Sequence, residues 1–514
     1  MLSAIFQLFR MRWASLFASL SSLWDRLLQI THFSTIKRLE IESQSNIAEN
    51  EIHTPQLTES DTSALSLSGK KFPVATDDQY NQARRAFIES LDSDAVCALA
   101  SKYNNDKCCR VVNKASGSFN VCFFIEFDTE EPKWVVRVPI EPAVNNPWDK
   151  LLSEVTTIQY LKHHTQIPVP RVQAYGRGAV LTKTGIGSQV FLITDLIEGQ
   201  PLDKKLLLLN KEEHRRNFYS QLIDILIELY NLRFSSIGSL MPNPDDPSCP
   251  VLGPVMSMSA TSLRLPPQPT FSSAKAYMKY QFGLVSRFFS PPVRDHTIED
   301  IRQEVFALHG LERIFDQLVD PQLDHGPFIL NHLDLRSPNI IVDQNLHIQG
   351  IIDWEFSSTV PRQTFTPPSW ITGHDSVETN KQMHAEFCSV LNEKSSNNEL
   401  CDQLRREWYT CELNTNDTDI KFAVAHILHR PTDATDIFYD FLSYKVINNL
   451  SDDNLDDVVS EFFSEHPTLA LDAERRAERC ERYTQYLKEN GLYETQLDKI
   501  LAESKALKEK YGWQ

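Results

Sequence analysis

Apolar residues Phe9, Trp13, Leu16, Leu20, Leu23 and Leu27 recur at helical spacing through the first 38 residues. Arg10, Arg12, Arg26, Lys37 and Arg38 are set among them, with Asp25 the only acid. The spacing predicts a basic amphipathic helix, and Arg10, Arg12 and Asp25 break any apolar run of the roughly 18 residues a membrane span needs. Recurrent serines and scarce acids fit a mitochondrial presequence. An interfacial membrane helix, or one packed on the body, explains the pattern equally well. Residues 39–79 then turn polar and carry too little apolar surface to offset ordering, so they read as a disordered linker.

The folded body is expected from about Tyr80. Ala83, Phe87 and Leu91, then Val96, Leu99 and Ala100, predict a helical region over 80–104 with a break at Asp92-Ser93. Val121, Phe123, Ile125 and Phe127 alternate with Cys122, Phe124 and Glu126, the period of a half-buried strand. Trp134 to Val138 makes its antiparallel partner across a turn at Glu130 to Pro132. Leu151, Val155, Ile158 and Leu161 mark a helix that stops before Pro168, and Val190 to Leu196 forms another strand leading into Glu198-Gly199. A small α+β unit over 80–200 is thus followed by a mainly helical one over 201–470. In the latter, Leu222, Ile225, Leu226 and Leu229 share a face, and a Pro-rich loop runs from Met241 to Pro269. Residues 471–514 predict surface helices.

Composition narrows the class. With 41% hydrophobic and 23% charged residues the chain is an ordinary globular protein. Its 514 residues exceed one compact core. A net charge of -18 argues against nucleic acid as partner; it suits a cationic small molecule or simply keeps the protein in solution. Nine cysteines without C-x-x-C spacing indicate neither a disulfide framework nor a zinc site, and fit a reducing, intracellular compartment, cytoplasmic or mitochondrial.

Phe328 to Asp343 contains H-x-D-x-x-x-x-N at His332, Asp334 and Asn339, and Ile348 to Phe356 brings a second apolar strand ending in Asp353. A hairpin through Asp343 to Leu346 returns the chain, so Asp353 lies beside the loop that carries Asp334. Phosphoryl transfer from ATP calls for this set: an Asp orients and deprotonates the acceptor hydroxyl, while an Asn and a second Asp hold Mg²⁺ on the phosphates. Trp354-Glu355 in place of Phe-Gly, with no following Ala-Pro-Glu, favours small molecules over proteins as acceptors.

The segment resembles the signature of the aminoglycoside phosphotransferase family, in particular its fungal-type members, and the likeness covers about residues 80–375. Gly117-Ser-Phe-Asn120 resembles the family's nucleotide loop, Trp134 to Pro139 the strand after it, and Glu154 through Arg171 the lobe helix and its turn. Phe191 to Gly199 is similar to the interlobe connector that receives adenine. The resemblance implies a two-lobed protein-kinase-like fold of α+β class, with an N-lobe of antiparallel sheet and one helix and a larger helical C-lobe. It implies Asp334 as base, Asn339 and Asp353 as metal ligands, and His332 as the brace of the loop. Ser118, Asn120, Arg137, Asp195 and Ile197 would line the nucleotide site, with Glu154 anchoring Arg137, which stands where kinases generally use Lys. Leu333 stands where the family usually has Gly, and Arg336 where it usually has His. Arg336 either stabilises transferring charge or pairs with a neighbouring acid. Glu355, Trp370 and the helices after Ser376 are the expected acceptor pocket. The alternative is an inactive scaffold that keeps the fold, held at a mitochondrial membrane by its N-terminal helix.

Overall fold

The computed structural model describes residues 77–128, 132–246, 249–375, 381–409, 415–446 and 454–493, with Thr495 and Ser504. The N-terminal amphipathic segment, the linker up to residue 76 and the turn at 129–131 lie outside the described residues. The first helix, α1 (Asp77–Ser90), is followed by α2 (Ser93–Tyr103). The two are separated at Asp92, whose side chain accepts the Asp94 N–H and so caps α2.

Five antiparallel strands form the N-lobe sheet: β1 (Cys109–Ser116), β2 (Asn120–Phe127), β3 (Trp134–Pro139), β4 (Val172–Ala179) and β5 (Gln189–Asp195), in the order β1-β2-β3-β5-β4. Val121, Phe123, Ile125 and Phe127 all point to one face and are buried with Ile88, Val96 and Ala100 of the two helices and Leu91 between them. Helices α1 and α2, the helical region predicted over 80–104 with its break at Asp92, therefore cover that face. α3 (Pro147–His164) begins with Asn146 as its cap and Pro147 in its first turn. It buries Leu151 and Val155 with Leu192 of β5.

The C-lobe is organised by α5 (Glu212–Asn231), which follows β6 (Gln200–Pro201) and the short α4 (Lys204–Leu209). The buried face of α5 includes Phe218, Leu222, Leu226, Leu229 and Tyr230. Two small antiparallel sheets rest on it. One has the order β13-β10-β7, from β13 (Ser358–Pro361), β10 (Phe328–Asn331) and β7 (Arg233–Phe234). The other has the order β12-β11-β6, from β12 (Ile348–Ile351) and β11 (Ile340–Val342). The Pro-rich loop from Met241 to Pro269 contains β9 (Val251–Gly253), which pairs with β8 (Ser239–Met241), and α6 (Met258–Ser262).

A second core collects α7 (Ala274–Phe288), α8 (Ile298–Gln317), α12 (Thr415–His429), α13 (Leu455–Glu465) and α14 (Pro467–Glu489) around Phe306, Phe315, Val424, Ile427 and Phe438. Helix α8 starts on a reciprocal capping box, in which Thr297 and Asp300 satisfy each other's backbone N–H groups. The remaining helices used below are α9 (Ser369–Thr372), α10 (Lys381–Ser395) and α11 (Glu399–Trp408).

Candidate active site

The β11–β12 hairpin is closed by Asp343, whose carboxylate accepts the N–H groups of Asn345 and His347 at 2.8 and 2.9 Å. Pairing of Ile340 with Ile351 brings the two ends of the hairpin together, and the Ile352 N–H donates to the Asn339 carbonyl at 2.9 Å. The backbones that carry Asn339 and Asp353 are thereby adjacent. Leu333 and Asp353 both sit at positive φ, 54° and 68°. For residues with a β-carbon this is a strained conformation, of a kind that concentrates at functional sites.

His332 organises the loop from inside. It is fully buried, its Nδ1 receives the Asp334 N–H at 3.2 Å, and its Nε2 lies 2.9 Å from the Ile352 carbonyl. A backbone N–H can only donate, so Nδ1 accepts and Nε2 carries the hydrogen. Burial pushes the imidazole's pKa down, in keeping with that neutral form. Its ring packs on Trp354, whose indole N–H donates to the Ile351 carbonyl at 2.9 Å. Asn339 donates from Nδ2 to the Asp334 carbonyl at 2.8 Å and to its carboxylate at 3.1 Å. Its Oδ1 is on the other branch of the amide. Arg336, half exposed, clasps Asp334 with Nε at 2.7 Å and Nη2 at 3.0 Å. Of the two accounts of Arg336, the structure displays the ion pair, and the acid is Asp334 itself.

Above this loop lies a buried ionic cluster. Arg137 of β3 donates to Glu154 of α3, donates to Asp353 at 2.7 Å, and approaches Glu355 at 3.4 Å. Burial works against its charge, but the three carboxylates hold the guanidinium well above its ordinary pKa. Burial pushes the Glu154 carboxyl up, against the pull of Arg137. The forked geometry lets one side chain join the N-lobe helix to the end of the hairpin, which a lysine's single ammonium would do less well. Lys150, one turn before Glu154, is 3% exposed and bonds Glu355, with Asn120 Oδ1 at 3.4 Å. Asn120 in turn donates to Glu355 at 2.7 Å.

Some expectations change here. Asn120 is buried in this cluster rather than open above a phosphate site, because Glu355 and Lys150 offer it partners inside; Ser118 remains exposed in the turn between β1 and β2. Glu355 is locked to Lys150, and Trp370 of α9 is buried with its indole N–H on the Leu335 carbonyl at 2.9 Å. Neither borders the cavity formed by Leu333, Phe356 and the 255–259 segment. Lys150 escaped the sequence reading, since a lysine in a first helical turn looks like surface; its position four residues before Glu154, on the same face, was the available signal.

The connector runs along the hairpin. The Asp195 N–H donates to the Arg171 carbonyl at 3.0 Å, and Gln173 bonds its carboxylate. Ile197 lies against Gly350 so closely that a β-carbon there would collide with it. Gly199, at φ +131°, faces the Val342 carbonyl, which an added β-carbon would meet at 2.6 Å.

Among the described residues no three His, Cys, Asp or Glu converge as a complete metal cage. Asn339 and Asp353 together fit a magnesium ion, which takes one or two side-chain oxygens and completes its shell with phosphate and water. Asp353 gives Oδ1 to Arg137, leaving Oδ2. A shallow groove of about 510 Å³ between α5 and α10 is lined by residues already paired with one another, Arg216 with Glu393 and Lys394 with Asp224.

Residues 115–363 match the model of the Phosphotransferase enzyme family (APH). That segment is an APH-family domain. The APH match contains the hairpin, the catalytic-type loop and the Arg137 cluster. A clavilactone A biosynthesis cluster protein Y of Ampulloclitocybe clavipes is 28% identical over 236 residues, 44% of this chain and 54% of that protein. A subtelomeric hrmA-associated cluster protein of Aspergillus fumigatus is 25% identical over 140 residues, 27% of this chain and 26% of that protein. The chain thus spans about half the length of the first of these curated relatives and about a quarter of the second.

Among solved structures, a Ralstonia eutropha protein assigned as an aminoglycoside phosphotransferase aligns at a TM-score of 0.39 and 14% identity, over 78% of this chain and 99% of that one. The Plasmodium vivax ethanolamine kinase aligns at 0.36 and 14%, over 77% and 94%. The two-lobed α+β, kinase-like architecture stands on the chain's own topology and on the family match.

Proposed function

We propose that the protein transfers the γ-phosphate of ATP to a hydroxyl of a small molecule. One observation carries the reading: the hairpin sets Asp334, Asn339 and Asp353 on one short stretch of backbone, and Arg137 bonds Asp353 and Glu154 together. The occurrence of both curated relatives in named clusters, one of them for the biosynthesis of a small molecule, supports a low-molecular-weight acceptor.

In this reading Asp334 accepts the proton of the acceptor hydroxyl, and His332 fixes Asp334 through its backbone N–H. Arg336 and Asn339 leave a lone pair on Oδ1 of Asp334 for the hydroxyl, and Arg336, if it lets go of Asp334, can turn its guanidinium to transferring charge. Arg137 and Lys150 are the cations of the nucleotide side. Asn339 and Asp353 would hold magnesium, which neutralises charge on the nucleotide's phosphates when bound. Asp195 and Ile197, on the connector, would contact the base, with Ser118 over the phosphates.

Calorimetric titration of the full chain with ATP and Mg²⁺ tests the reading. Binding in the wild type, lost in Asp353→Ala and retained in Asp334→Asn, is expected. No wild-type binding of ATP or GTP would leave the inactive scaffold as the better description.

A further inference from the structure

A second cavity adjoins the catalytic-type loop on the C-lobe side. Its walls come from the 255–259 segment, with Met256 and Met258, from Leu333 and Phe356 on either side of the loop, and from Leu428 and His429 of α12. Leu333 is next along the chain to Asp334, so the cavity opens where an acceptor hydroxyl has to arrive. No Asp, Glu, Lys or Arg is among its lining residues.

Several polar groups in the wall are already engaged. Ser257 caps α6 by accepting the Ala260 N–H, Thr364 donates to the Pro361 carbonyl at 2.9 Å, Tyr277 and Gln281 bond each other, and His429 bonds the Leu333 backbone. The exposed face is therefore largely methionine, leucine, phenylalanine and valine. An ammonium-rich acceptor would shed its hydration there against apolar side chains, and Asp334, the anion beside the cavity, is already paired with Arg336. The interior holds about 40 Å³, enough for the hydroxyl-bearing end of a molecule, and methionine walls yield readily to a larger apolar body.

We propose that this cavity is the acceptor site and that the acceptor is a neutral alcohol on an apolar body, not a polycationic sugar or a charged amino alcohol. The inference rests on the phosphotransferase reading for its purpose, but the cavity's preference can be tested without turnover. The overall acidity of the chain, which on composition alone suits a cationic substrate, is not expressed in this wall.

Crystals of the full chain are soaked separately with cyclohexanol and with methylammonium chloride, and binding of the same probes is followed by protein NMR in solution. The expected result is cyclohexanol between Met258, Leu333 and Leu428 with methylammonium excluded, and loss of the alcohol in Leu428→Trp. Leu428 is half-buried; Met258→Trp, also at a half-buried position, gives the same reading should the first variant fold poorly. Methylammonium in the cavity, or cyclohexanol absent from it in the wild type, overturns the inference. Either result leaves ATP binding untouched, whereas loss of ATP binding alone would defeat the phosphotransferase reading and leave the cavity's preference standing.

Discussion

Replacing Lys150 by methionine keeps an unbranched side chain only one atom shorter and removes its charge, leaving Glu355 buried without its shortest partner. Breaking a buried pair from one side costs about 3–5 kcal/mol. Glu355 would still accept from Asn120 at 2.7 Å and keep Arg137 at 3.4 Å, so the loss belongs at the low end, about 3 kcal/mol. A two-lobed protein need not unfold in one step, so the suitable assay is amide hydrogen exchange of β2, read by mass spectrometry on peptides spanning 120–127. About 3 kcal/mol corresponds to roughly 10²-fold faster exchange if β2 opens with the cluster. Lys150→Met combined with Glu355→Leu removes both charges, and its effect should be clearly smaller than the sum of the single effects. Arg110→Ala, which removes the exposed pair with Glu126 on the same sheet, should leave exchange unchanged. Acceleration of less than tenfold for Lys150→Met, or strict additivity in the double variant, would refute the claim that this cluster ties the N-lobe to the hairpin.

Asp334→Asn should lower phosphoryl transfer about 10²–10⁴-fold, measured as acceptor-dependent ADP release, with ATP affinity preserved in calorimetry. Arg137→Lys cannot keep both Glu154 and Asp353; losing one charge-assisted hydrogen bond should weaken ATP binding roughly tenfold. Stability should also depend on pH through histidine. Burial holds His332 below the usual 6.5 and pushes His429 down to about 4, so the unfolded chain binds protons that the folded one does not. The contribution is complete above pH 6.5 and drains as pH falls from there through 4. Urea midpoints between pH 7.5 and 4.5 should show this decline, and His429→Gln should make it shallower.

The N-lobe was legible where burial alternates and hidden where it does not. β2 and β3 carry strings of buried β-branched and aromatic residues, and their expected bounds agree with the structure to within a residue or two. β1 has almost no buried position, and β4 is an outer strand with one, so neither writes an apolar period into the sequence. The hairpin and its three polar residues could be read directly, because their order and the intervening apolar strands are local. What could not be read was the direction of side chains that meet across the lobes. Asn120, Lys150 and Glu355 are far apart in the chain, and each has the composition of a surface residue. Only the sheet register and the turn of α3 reveal that they share one buried space. Trp370 failed as a pocket residue for the related reason that an aromatic near a site is as readily a core residue, which its bond to Leu335 makes it here.

Gly199 and Gly350 leave no gap between the connector and the hairpin. Motion between the lobes therefore has to be a swing about this seam, since sliding across it would drive Ile197 and the Val342 carbonyl into their neighbours. Like a door on a fixed pin, the separation of connector and hairpin stays constant while the far rim travels. The tip at 117–119 is where opening would be widest, because Asn120 pairs with Pro139 at the opposite end of the sheet from Asp195. A residue larger than glycine at either position would displace the pin itself.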